Sequence, residues 1–204
     1  MTQFDKRNLS MMMDFYEMTM SYGYFHQPNR DVRVAFDLFF RSVPDQGGYA
    51  IFAGLQHVIE FVENLSFSDA DIAYFRKQNL FSEKFLDFLR GFRFRGDIYA
   101  MPEGTIIYPN EPLMTIVAPI IDAQLVETAI LAQINHQSLV ATKASRIVRA
   151  AEGRKVADFG ARRAHNMDAA TYGARAAYIG GIDMTATVSA GQQFNIPISG
   201  TMAH

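Results

Sequence analysis

Residues 155–199 constrain the fold most. Residues 155–159 read as a short strand that ends in Gly160. A helical pattern over 167–179 follows and is stopped by Gly180-Gly181. The next segments read as a strand over 182–187, a short helix over 189–194, and a strand over 196–199 that runs into Gly200. Strands separated by helical crossovers pair in parallel, because an antiparallel return needs only a tight turn. Three parallel strands do not close a barrel and leave an edge open. This pattern therefore predicts that the chain is a fragment of a longer one.

The first 150 residues mix both element types. Residues 11–24 read as a helix with apolar side chains on most faces, Ser10 as N-cap and Gly23 as its end; such a helix is expected to be buried. Residues 33–41 alternate as a half-buried strand, with Val34, Phe36, Leu38 and Phe40 on the inner face. Residues 44–48 form a turn cluster, and 50–64 read as a helix with Leu55, Ile59 and Val62 inward. Ser68, three residues before Asp71, and Ser82, before residues 83–90, mark two short helices, the second ending at Gly91. Runs over 93–100, 105–108 and 113–118, separated by Pro- and Gly-containing turns, predict a small antiparallel sheet. Residues 122–153 read as a long helix capped by Asp122, with a break near Asn135-His136-Gln137.

Charge narrows the function. The net charge of −2 argues against a nucleic-acid binder. Residues 143–175 nevertheless carry eight basic and three acidic side chains, a local +5 that leaves −7 on the rest. Such a segment fits a phosphorylated or carboxylated small ligand; the plainer alternative is a solvated helix face. Cysteine is absent, which removes disulfides, thiolate metal sites and a Cys nucleophile. No secretory leader precedes Ser10, and the uncharged run 184–203 is too polar to span a membrane, so a cytoplasmic protein without a membrane partner is expected. His57, His136 and His165 lack metal-ligand spacing and read as structural or surface histidines.

In a barrel of parallel strands, ligands sit at the C-terminal strand ends. Here those ends carry Arg162, Arg163 and His165, then Asp183 and Thr185, then Thr201 and His204. Adjacent arginines point apart, so one is expected to face an anion and the other a structural carboxylate.

Six blocks are similar, in order, to nicotinate phosphoribosyltransferases: DFYEMTM at 14–20, MPEG at 101–104, PNEPL at 109–113, LVATKA at 139–144, FGARRA at 159–164 and GTMAH at 200–204. Met11-Met12-Met13 and His165-Asn166 depart from the family pattern. The resemblance implies an α/β protein, with a mixed α+β domain over 1–150 and, over 151–204, the first βα units of an irregular barrel of the type II phosphoribosyltransferase kind, left incomplete. It implies transfer of phosphoribose from phosphoribosyl pyrophosphate to nicotinate, with Mg²⁺ and ATP hydrolysis, by a homodimer with shared active sites. By the same resemblance Tyr16 stacks on the nicotinate ring, Thr201 contacts its carboxylate, Arg162 and Arg163 line the site, and His204 takes the γ-phosphoryl group of ATP. With its barrel incomplete, the 204-residue chain alone is expected to be inactive; nicotinamide as acceptor, or a truncated inactive chain serving only as a binding module or partner subunit, are the alternatives.

Overall fold

The computed structural model describes residues 8–43, 45 and 47–202. Helix α1 (Phe15–Phe25) starts later than predicted. Ser10 does not cap it: its hydroxyl accepts the Ser66 amide at 3.0 Å instead. Nor does Gly23 end it, since the helix continues to Phe25. Its burial is also inverted from expectation. Glu17, Met18 and Ser21 face inward, while Phe15, Tyr16 and Met20 are exposed.

Strand β1 (Arg33–Leu38) points Leu38 inward as its alternation predicts. Strand β2 (Ala50–Ile51) occupies the start of the predicted helix, and α2 (Leu55–Asn64) begins only after Gly54. Gly54 has φ +111°, and a Cβ there would lie 2.9 Å from the Gln133 carbonyl, so only glycine fits. The helix buries Val58 and Val62 and leaves Ile59 exposed, one position off the predicted stripe.

Helix α3 (Asp69–Lys77) carries a full capping box between Ser68 and Asp71, and Ser82 caps α4 (Glu83–Arg90). Gly91 closes α4 with a negative φ, so it supplies no left-handed turn. Strands β3 (Asp97–Ala100), β4 (Ile106–Ile107) and β5 (Met114–Pro119) do not share one sheet. The order β1-β5-β3 forms an antiparallel sheet, whereas β4 pairs with β2. The core lies beneath these elements, with Phe52, Phe85, Leu86 and Met114 almost wholly buried.

Helix α5 (Ile120–Gln124) follows β5 directly, with Pro119 and not Asp122 in the N-cap position. Asp122 is instead buried beneath Arg95, whose guanidinium donates to it at 2.9 Å. Helix α6 (Glu127–Ala150) is unbroken through 135–137. Tertiary contacts override weak propensity there, since Gln137 is fully buried and bonded to Gln133 and to His57.

The middle of α6 does the work of a strand for β2. The Ile51 amide donates to Thr142 Oγ1 at 2.8 Å and the Ala53 amide to Ser138 Oγ at 3.0 Å. Helix α7 (Met167–Ile179) packs along α6, and Gly180 allows the approach: a Cβ there would meet the Ala141 carbonyl at 2.4 Å.

The predicted parallel grammar is present. Strand β6 (Ala157–Asp158) pairs in parallel with β7 (Met184–Thr185), and Thr185 bridges in parallel to Ile198. Helix α8 (Val188–Phe194) links the last two.

Candidate functional site

The C-terminal end of β6 is organised by one carboxylate. Asp158 accepts the Gly160 amide and the Thr185 hydroxyl, each at 2.8 Å, while Thr185 Oγ1 accepts the Thr187 amide at 3.0 Å. These bonds tie the strand ends together and launch the chain into a 3₁₀ turn, Ala161–Arg163. The turn sends the two arginines in different directions. Arg162 lines a cleft of about 650 Å³, whereas Arg163 donates back to the Phe159 carbonyl at 3.3 Å. Among the described residues neither arginine pairs a carboxylate, so the structural partner expected for one of them is a backbone carbonyl instead.

Across the cleft stand the start of α7 and one face of α8. Asn166 caps α7 by accepting the Ala169 amide at 2.8 Å. Tyr172, Thr187, Ser189 and Gln193 complete the wall. The Thr187 hydroxyl oxygen is buried there without a hydrogen-bond partner among the described residues. The cleft thus offers a guanidinium, hydroxyls and amides, with the Asp168 carboxylate beside them, a set suited to a hydroxylated ligand that carries an anionic group.

Tyr16 lies elsewhere. It lines a separate cleft of about 560 Å³ between α1, β1 and the first turns of α6, which shares no lining residue with the arginine cleft. Partial burial and a hydrogen bond to the Glu127 carboxylate push its pKa up to about 12, so its ring stays neutral. Its exposed ring sits beside Met20, Phe36 and Phe39, an apolar frame around one polar edge. Beneath it Glu17 is fully buried, and one carboxylate oxygen accepts the Thr128 amide at 3.0 Å and the Thr128 hydroxyl. The other oxygen has no partner among the described residues, and burial raises the carboxyl above its ordinary range.

Thr201 is exposed at the far end of the last parallel bridge, and His204 lies outside the described residues. His57 is buried, His136 half-buried and His165 exposed. Much of the basic excess is neutralised internally. Lys143 and Arg146 share Asp45, at 3.1 and 3.3 Å, and Arg175 binds Glu103. Among the described residues no group of three or more His, Asp or Glu side chains could hold a metal ion. No described helix is long and apolar enough to cross a membrane.

Pattern and spacing assign Glu103 and Arg175 no individual role, although together they form the most buried ion pair among the described residues. Their side chains are 18% and 11% exposed and meet at 2.6 Å. A pair 72 residues apart leaves no local signal; only the position of Glu103 in the MPEG block marked it.

Comparison with known proteins gives this arrangement a family. The family model for the nicotinate phosphoribosyltransferase (NAPRTase) N-terminal domain matches residues 11–135. Nicotinate phosphoribosyltransferase pncB2 of Mycobacterium tuberculosis is 48% identical over 195 residues, covering 96% of this chain and 42% of the relative. The Bacillus subtilis nicotinate phosphoribosyltransferase is 46% identical and covers 98% of this chain and 41% of its own length. The chain therefore spans well under half of either relative. The crystal structure of human nicotinic acid phosphoribosyltransferase superposes with a TM-score of 0.88 at 32% identity, covering 95% of this chain and 39% of that one. That of a nicotinate-nucleotide pyrophosphorylase from Pyrococcus furiosus superposes at 0.76 and 26% identity, over 100% of this chain and 46% of that one. With the family model spanning more than half of the residues and the similarity running almost end to end, the chain belongs to the nicotinate phosphoribosyltransferase family.

Proposed function

We propose that the protein transfers phosphoribose from phosphoribosyl pyrophosphate to nicotinate, making nicotinate mononucleotide for NAD biosynthesis with coupled ATP hydrolysis. Residues 1–150 form its mixed N-terminal domain, and residues 151–204 contribute the first βα units of its barrel. The observation that carries the reading is the placement of Arg162, which stands at the C-terminal end of a parallel strand and lines a cleft furnished for an anion.

The chemistry follows from charge. Loss of pyrophosphate leaves an oxocarbenium-like ribose, and the nicotinate ring nitrogen attacks it. The chain's part is to position the reactants and stabilise departing negative charge. Arg162 supplies a fork for carboxylate or phosphate, with Arg163 beside it, and Thr201 adds a hydroxyl for the nicotinate carboxylate. Tyr16 supplies a neutral ring on which nicotinate stacks. His204 accepts the γ-phosphoryl group of ATP on an imidazole nitrogen, releasing ADP, and water later cleaves the phosphohistidine to return free His204 and phosphate, which completes the ATP hydrolysis. Mg²⁺ would arrive with the substrate phosphates, since the described residues build no cage for it.

The separation of the two clefts supports a homodimer in which one copy's Tyr16 completes the other's site. Glu127, beside Tyr16, and Gln137, near the arginine cleft, are ten residues apart on α6, about 15 Å along its axis. One pyridine ring does not bridge that span. The enzyme is taken to work in the cytoplasm.

The test is to incubate a full-length form of the protein, as long as its relatives, with labelled nicotinate, phosphoribosyl pyrophosphate, ATP and Mg²⁺, beside the 204 residues alone, which are expected to make no product. Labelled nicotinate mononucleotide is the expected product of the full-length form. No product from that form, or product with nicotinamide only, overturns the reading.

A further inference from the structure

The wall opposite Arg162 is held by a polar knot that lies outside the cleft. Arg175 projects from α7 and Glu103 from the turn between β3 and β4. Arg175 Nη1 donates to Glu103 Oε1 at 2.9 Å and Nη2 to Oε2 at 2.6 Å, a bidentate fork. The same Nη2 donates to Gln56 of α2 at 2.8 Å, and Nη1 to Gln137 of α6 at 3.4 Å. Glu103 Oε1 also accepts the Gly54 amide at 2.6 Å. Both terminal nitrogens of the guanidinium are therefore committed within the protein, and the group does not serve as a ligand contact.

The knot reaches the cleft by two routes. Tyr172 sits three residues before Arg175, on the same face of α7, and lines the cleft. Its ring lies 4.2 Å from that of His57, whose Nδ1 is bonded to Gln137 at 3.1 Å. On the other side the guanidinium carbon lies 5.5 Å from the centre of the Phe194 ring, next to Gln193 in the cleft wall. One side chain thus links α2, α6, α7, α8 and the MPEG turn.

A packed apolar pair would hold these helices at least as firmly, because desolvation offsets most of the attraction in a buried ion pair. What the charged fork adds is direction. Two parallel bonds fix the plane of the guanidinium, and the two glutamines fix its edges. Burial alone would push the Glu103 carboxyl up, but the Arg175 hydrogen bonds and charge and the Gly54 amide hold it below its ordinary range, so the pair stays ionised at neutral pH.

We infer that Glu103 and Arg175 are positioning residues that set the spacing of α7 and α8, and so place Tyr172 and Gln193 against whatever Arg162 holds. The kinetic consequence rests on the phosphoribosyl-transfer reading; the structural one does not.

The test replaces Tyr172 with 3-fluorotyrosine in the wild type, in Glu103→Gln, in Arg175→Lys and in the double variant. All are made in the full-length form; Glu103→Gln keeps side-chain length and removes the charge, while Arg175→Lys keeps the charge, is one bond shorter and loses the fork, and serves if Glu103→Gln does not fold. The fluorine resonance should be single and sharp in the wild type and shifted or broadened in each variant. The value of kcat/KM should fall about ten-fold or more in each single variant, as expected for misplaced reactants. The double variant should be no worse than the poorer single one. An unmoved resonance overturns the inference, as does a moved resonance with unchanged kcat/KM per folded molecule. A wild type that makes no nicotinate mononucleotide defeats the functional reading, while the fluorine signal still decides whether the pair sets the wall.

Discussion

Replacing Thr142 by valine isolates one hydrogen bond. Valine keeps the branched shape and the preferred helix rotamer, so neither a cavity nor a change of packing follows. What disappears is the acceptor for the Ile51 amide, 2.8 Å away. Thr142 is fully buried and Ile51 is 7% exposed, so water does not replace the lost partner. The Thr142 hydroxyl also donates to the Ser138 carbonyl at 2.6 Å, but that oxygen keeps its place in the helical ladder. A buried donor left unmade costs about 1–3 kcal/mol. For a chain of this size each kcal/mol lowers Tm by about 2–4 °C, so the drop should lie at about 2–12 °C. Thermal unfolding followed by circular dichroism reads it, and urea titration checks that the slope is unchanged. Thr142→Ser keeps the hydroxyl and loses one methyl, about 0.8 kcal/mol before any cavity term. If Thr142→Val is as stable as wild type, or more stable than Thr142→Ser, the hydroxyl is not what holds β2.

Glu17→Gln should flatten the pH dependence of stability. The folded carboxyl is raised above its ordinary 4.5, so its contribution is complete below that value and is lost as pH rises through the folded pKa. Urea midpoints at about pH 4 and about pH 8 should show the variant gaining on wild type at the higher pH; parallel losses count against it. Tyr16→Ala should raise KM for nicotinate about two- to ten-fold, matching about 0.5–1.5 kcal/mol of stacking, and an unchanged KM refutes the stacking role. Arg162→Lys keeps the charge and loses the fork, so kcat/KM should fall clearly, with Arg163→Lys the milder change. Wild-type kinetics in both would make the arginines purely structural.

Local chemistry made some elements readable and hid others. Helix α7 matches its predicted bounds because Gly180-Gly181 stops it abruptly, and α3 and α4 are announced by Ser68 and Ser82. Strand β2 was hidden because it is only two residues long and the apolar run 50–53 leads up to α2, with Gly54 alone between them. The inward face of α1 was hidden because a buried carboxylate at Glu17 contradicts hydrophobic patterning; the Thr128 bonds that compensate it come from a residue 111 positions away. The site divides in the same way. Arg162 follows from its strand end, but its wall depends on Arg175 and Glu103, which only the tertiary fold joins.

The two glycine contacts on α6 also govern how the chain tolerates changes of length. Gly54 rests on the Gln133 carbonyl and Gly180 on that of Ala141, and Gln137, Ser138 and Thr142 make their bonds within or just beyond that interval. One residue inserted between 133 and 141 would turn everything after it by about 100° and advance it by about 1.5 Å. The glycine at one end would then face a side chain, and the hydroxyls that serve β2 would point away from it. Such a stretch accepts substitution but not insertion or deletion. The chain's length variation should therefore collect in exposed turns such as that at Asn110, and be absent from the seven residues between these two contacts.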